Sequence, residues 1–263
     1  MRTFVLILIS LLTFSSVLFA QTDEIQVYDA EIEPPGIFNL MVHMNFTPDG
    51  RTIPDFPGAT IANHSFNGAA EWAYGVTPWF EQGLYLPVYS LYSTNHGAAI
   101  NGFKIRELFV RPHAHDHTFF YGMNFEFSVN ADYWEDRRIT SEIRPIVGLH
   151  LHPFDFIYNP IVDTDYTGGF GNLQYNPAGR IAYNLNDRWA VAVEEYDGFG
   201  PLRHFVPSRN QFHEIWATMD HYSSKFLGMD IEAGIGYGLT PGSDKVTLKL
   251  MLSRNLNAHR WRP

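Results

Sequence analysis

Apolar and polar residues alternate strictly along most of this chain. From Thr118 to Asn130, Phe119, Tyr121, Met123, Phe125, Phe127 and Val129 fall on one side of an extended segment. Phe120, Gly122, Asn124, Glu126, Ser128 and Asn130 fall on the other. Side chains of a strand point alternately to its two faces, so the segment reads as a strand with one apolar and one mostly polar face. The pattern recurs. Ile139, Ile143, Val147 and Leu149 oppose Glu142, Arg144 and Gly148, and Phe156, Tyr158 and Val162 oppose Asn159. Leu173, Tyr175, Ile181 and Tyr183 oppose Gln174, Asn176 and Arg180, and Trp189, Val191 and Val193 oppose Glu194. Met229 to Leu239 opposes Asp230 and Glu232, and Val246 to Leu252 opposes Lys249.

Earlier segments fit the same scheme: Gly36 to Phe46, then Ala70 to Val76, then a strand with Leu84, Leu86 and Val88 on one face. Residues 98–111 fit less well. Lys104 and Arg106 share a face, but Glu107 falls among Phe103, Ile105 and Phe109, and a bulge would resolve the conflict. The pattern predicts about twelve strands and no helix longer than a turn or two. Connections alternate short (77–79, 152–154, 184–188, 223–225) with long (47–65, 163–171, 197–210), with 131–138 between.

A soluble sandwich or barrel also alternates. Two features favour a membrane barrel instead. Short and long connections alternate as on the two rims of such a barrel, and Trp72, Trp79, Tyr121, Trp134, Trp189, Trp216 and Tyr237 lie near predicted strand ends, as an interfacial girdle requires. A sheet in hydrocarbon must close, because an open edge leaves backbone groups unpaired. The predicted fold is therefore all-β: a closed, antiparallel transmembrane β-barrel of meander topology. The apolar faces then meet outer-membrane lipid. The opposite faces line a lumen with Glu71, Arg106, Glu126, Glu142, Arg144, Asn159, Arg180, Glu194, Asp230, Glu232 and Lys249.

The N-terminus changes the compartment. Arg2, an apolar run from Phe4 to Phe19 and Ala20 read as a secretory signal over residues 1–20, too short to span a bilayer as a helix. Residues 21–35 are acidic and end in Pro34-Pro35; they read as a periplasmic arm or a lumen plug. The barrel is expected over 36–256 and a tail over 257–263. The 263 residues contain no cysteine, which excludes disulfides, and the net charge of −10 argues against a nucleic-acid partner.

From about residue 139 to 253 the chain resembles a family of small outer-membrane β-barrel proteins often grouped with a phenol-degradation pathway. The residues that carry the resemblance are Glu142 to Gly148, Asp155 to Asp163, Pro177 to Tyr183, Trp189 to Tyr196 and Gly234 to Thr240. It implies a barrel of roughly twelve strands with a transport role, inserted by the outer-membrane assembly machinery. The sequence departs from the family at Asn176, where an acidic residue is common. It also departs after the last strand, where Asn255 to Pro263 lacks a terminal aromatic.

The lumen charges read either as a structural ion-pair network or as a polar path for a small solute, and unpaired charges in a narrow bore would be costly. Of the chemistry-bearing stretches, His113-Ala114-His115-Asp116-His117 is the most metal-like: in extended chain its three imidazoles share a face. His150 and His152 repeat the spacing. His221-Tyr222-Ser223 resembles the His-x-Ser of an outer-membrane lipid A deacylase, with Asp220 or Glu214 as the orienting group. The leading expectation is a passive channel or transporter for small solutes, without a cofactor and not an enzyme. A lipid-acting hydrolase and a non-conducting structural barrel are the alternatives.

Overall fold

The structure is a computed structural model and describes residues 23–222 and 228–257. The expected signal segment and Ser223 lie outside those residues. Fifteen strand segments form one continuous antiparallel sheet. In chain order they are β1 Phe38–Asp49, β2 Ser65–Thr77, β3 Phe80–Tyr92, β4 Ala99–Val110, β5 Phe119–Asn130, β6 Ile139–Leu151, β7 Phe154–Asn159, β8 Val162–Thr164, β9 Gln174–Tyr175, β10 Ala178–Asn186, β11 Trp189–Gly198, β12 Gly200–Pro201, β13 Phe212–His221, β14 Asp230–Gly238 and β15 Val246–Asn255. β7 with β8, β9 with β10 and β11 with β12 each make one wall strand, so the wall has twelve.

Each wall strand pairs with the next. β15 returns to β1, with Asn39 opposite Asn255 and Phe46 opposite Leu248. Closure leaves no free edge, the condition for a sheet in hydrocarbon. Pro160 and Pro177 interrupt neighbouring strands because proline has no N–H to give to the ladder, and Pro145 lies within the continuous β6 between its pairings with β7 and β8. These interruptions divide two of the wall strands into β7–β8 and β9–β10.

Alternation holds around the whole wall. Phe119, Tyr121, Phe125 and Phe127 are exposed on the outside, as are Ile181, Tyr183, Val191 and Val193, while Asn124, Glu126, Arg180 and Glu194 are buried inside. A soluble barrel would reverse this. Phe80 and Phe109 stack at 4.8 Å, with Trp79 beside Phe109 at 6.1 Å, near the rim of two-residue turns. Tyr175, Phe199 and Phe205 cluster near the other rim.

Three expectations need correction. Trp134 and Trp216 do not belong to a girdle. Trp216 is 1% exposed on the inner face, where its indole N–H donates to Glu214 Oε2 (3.0 Å), and Trp134, in the 131–138 loop, turns inward and is buried against Ala69, Tyr85 and Val88. Val88 does not share a face with Leu86: pairing with β4 shifts between Tyr85 and Val88, which turns Val88 inward beside Tyr85. Conversely, no bulge rescues Glu107. Register runs unbroken from Lys104 to Val110 against β5, so Glu107 stands on the outer face between Gln82 and Phe125.

Gly236 shows why glycines recur on the inner face. A Cβ there would meet the Trp216 ring at 2.1 Å, so the indole lies flat on the opposite strand only because no side chain intervenes.

Candidate functional site

The bore is filled by paired charges and by the chain's own N-terminal segment. In the first cluster, Glu71 accepts from His43 Nε2 (3.0 Å) and pairs with Arg106 Nη1 (3.0 Å), while Arg106 Nη2 reaches Glu81. In the second, Arg180 bridges Glu194 and Asp220 and lies 3.4 Å from Glu232. Lys249, whose side chain is fully buried, sits 2.5 Å from both Glu194 and Glu232. Arg180 and Glu194 are direct cross-strand neighbours, so two adjacent strands place this pair without help from any loop. In the third, Arg144 clasps Glu142 with two bonds, Nε to Oε1 (2.6 Å) and Nη2 to Oε2 (3.1 Å).

Residues 23–35 thread this interior from the short-turn rim, where β1 begins, towards the long-loop rim. Near the entry, the Glu33 amide donates to Glu81 Oε2 (2.7 Å) and Asn39 donates to the Glu33 carboxylate (2.9 Å). Gly75 lets the segment through: a Cβ there would lie 2.2 Å from the Glu33 carbonyl oxygen. Halfway, Asn159 imitates a strand partner for Tyr28, accepting from its amide (2.7 Å) and donating to its carbonyl (3.0 Å). The Arg144 guanidinium covers the Tyr28 ring at 4.2 Å, and the Tyr28 and Tyr85 hydroxyls lie 2.5 Å apart. Val27, Tyr28 and Ala30 pack on an apolar patch of the wall that includes Phe120, Ile146, Ile157 and Ile161. At the far end, Asn45 donates to the Asp23 carbonyl (3.1 Å), Lys249 to the Ile25 carbonyl (3.1 Å), and Lys104 pairs with the Asp23 carboxylate (2.9 Å).

Ten of the eleven expected lumen residues thus line the inner wall beside the segment or beside one another. Asp230 shares their face but is exposed at the start of β14. Reading the sequence did not place His43, Glu81 and Tyr85 in the bore, and it considered Asp220 only as the orienting group of a hydrolase. Glu81 was legible in principle: starting β3 at Phe80 puts Glu81 on the same face as Tyr85.

The His113–His117 stretch is not extended. His113 has a left-handed backbone (φ 54°) and Ala114–Asp116 form one 3₁₀ turn, so the three imidazoles have no common face. His115 instead pairs with Glu31 of the threading segment (3.0 Å). Among the described residues no group of three or more His, Asp or Glu side chains could hold a metal ion. His221 turns outward against the Trp189 ring, 4.3 Å between centroids, away from Asp220 on the inner face.

Beyond the end of the threading segment a cavity of about 570 Å³ opens among the long loops. Asp23, Glu24, Lys104, Glu126, Glu142 and Arg144 form its floor, with Trp134, Glu135 and Glu214 higher on the wall.

No family model matches the sequence, and no curated protein matches it. Solved structures do. The COG4313 outer membrane channel from Pseudomonas putida F1 is similar over 89% of this chain and 100% of its own, with a TM-score of 0.56 and 12% identity. The KdgM porin is similar over 82% of this chain and 98% of its own, with a TM-score of 0.51 and 8% identity. At such identities the likeness concerns the fold: this chain has the closed barrel of small outer-membrane channels and porins.

Proposed function

We propose that the protein is a passive channel for small solutes in the outer membrane, with residues 23–35 seated in the bore as a plug. The observation that carries the reading is the inversion of polarity. Apolar side chains cover the outside of the closed wall, and paired charges fill the inside. Such a wall is stable only in lipid, and such a bore is a path for polar solutes once the plug yields. The longest connections, led by 50–64, mark the external rim, and the rim that carries all three two-residue turns marks the periplasmic side, so the plug enters from the periplasm. The reading involves no catalysis and no cofactor. Its partners are membrane lipid, a small solute and the assembly machinery. The resemblance to the phenol-degradation group adds a candidate context for the solute.

The test is conductance in planar bilayers. The protein should conduct weakly, and a variant lacking residues 23–35 more strongly. Silence from both would contradict the channel and favour a structural barrel. For the hydrolase reading, Ser223→Ala should leave lipid A profiles unchanged.

A further inference from the structure

The short-turn mouth of the bore holds two imidazoles that the channel reading leaves unused. His150 lies near the end of β6, and His115 lies in the connection between β4 and β5. Their ring centroids are 5.6 Å apart. His150 is fixed by stacking on Phe120 at 4.4 Å, and the 3₁₀ turn of Ala114–Asp116 brings His115 beside it. The pair thus draws one imidazole from the His113–His117 stretch and one from the wall, and needs no common face within the stretch.

Each ring is oriented through Nδ1 by a carboxylate. His150 Nδ1 bonds to Asp155 (2.7 Å), whose second oxygen accepts from the Asn184 amide (2.6 Å). His115 Nδ1 pairs with Glu31 (3.0 Å). A carboxylate on Nδ1 keeps the proton there and leaves the lone pair on Nε2, the arrangement in which imidazoles bind metals. Nε2 of His150 has no hydrogen-bond partner and is shut off from water. The His115 side chain is 78% exposed, so it is free to swing and admit an ion beside that atom.

The spacing also fits. With metal–nitrogen bonds of about 2.1 Å, two imidazoles on one tetrahedral ion have ring centres about 5 Å apart, close to the 5.6 Å observed. Among the described residues no third His, Asp or Glu completes a cage, so water supplies the remaining ligands. Imidazole suits zinc, nickel and copper, whereas magnesium and calcium take oxygen ligands.

We propose that His115 and His150 bind a transition-metal ion of the zinc, nickel or copper kind at the mouth of the bore. Glu31 belongs to the plug, so a bound ion ties the plug to the wall through His115. Binding stands apart from the channel reading, and only this tie rests on it.

The test is calorimetric titration of the detergent-solubilised, tag-free protein with zinc chloride, with magnesium chloride beside it. Zinc should bind saturably and magnesium should not. Losing even an orienting carboxylate typically weakens a metal site about tenfold or more, so His115→Ala and His150→Ala should each weaken zinc by at least about tenfold. His113→Ala and His152→Ala, on the same rim, should leave zinc affinity unchanged. The His115 variant, on an exposed turn, keeps the test decisive if His150→Ala does not fold. With copper(II), electron paramagnetic resonance should show two coordinated nitrogens, and one in the His115 variant. Absence of saturable zinc binding, magnesium binding as tightly as zinc, or zinc affinity that falls with His113 or His152 but not with His115 would overturn the proposal. A barrel that binds zinc but passes no current supports this site and contradicts the channel; one that conducts but ignores zinc does the reverse.

Discussion

Lys249 shows what a single residue does in this bore. Its ammonium is shut away from water and is held by Glu194 and Glu232, with a further bond to the Ile25 carbonyl of the plug. Replacing it by Met leaves two buried carboxylates facing each other near Arg180. Removing one partner of a buried pair typically costs about 3–5 kcal/mol. Lys249→Met should therefore lower the urea midpoint of the barrel in liposomes, and a midpoint equal to wild type would contradict the network. The pair at the rim behaves differently. The Glu31 carboxylate beside His115 holds its imidazole up, from 6.5 to about 9. Because the folded value is raised, the pair's stabilisation is complete below pH 6.5 and is lost as pH rises through about 9. Both side chains are largely exposed, so the pair is worth no more than about 1 kcal/mol. NMR titration of His115 should show the raised midpoint, and Glu31→Gln should bring it down. At this scale strand parity made Arg180, Glu194 and Lys249 legible in the sequence. Trp216 was not, because tryptophan suits an interface and a polar interior equally well. Nor was the turn at His113, because the left-handed backbone of a histidine leaves no mark in a pattern of polarity.

Among the elements, the plug is the least regular and the most consequential. It has no strand partner of its own, so Asn159, Lys249, Asn45 and the Glu81 carboxylate satisfy its backbone. Gly75 is the gap in the wall that admits it. Gly75→Ala places a methyl group 2.2 Å from the Glu33 carbonyl, closer than atoms can approach. The substitution should push the plug off the wall while sparing the barrel. Single-channel conductance of Gly75→Ala should rise towards that of the plug-deleted protein; a current equal to wild type would mean that the plug does not limit flow. The acidic run before Pro34-Pro35 marked an element distinct from the strands, but its position in space was illegible. It depends on partners such as Asn159 and Lys249, which lie more than a hundred residues away. The register shift at Leu86-Pro87 was hidden for a related reason: alternation reads on smoothly through Val88 even though the strand turns over.

For the whole molecule, the recurring alternation with charges opposite aromatics announced a closed barrel, and the fifteen paired segments form one. What alternation alone cannot specify is which face meets lipid, since a soluble barrel carries the same two-residue period. The structure places Trp189 outside and Trp216 inside. The most direct measurement uses two proteins with a single tryptophan each, one keeping Trp189 and the other Trp216, reconstituted in bilayers with brominated acyl chains. The account predicts strong quenching of Trp189 and little of Trp216. Quenching of Trp216 equal to or greater than that of Trp189 would contradict it.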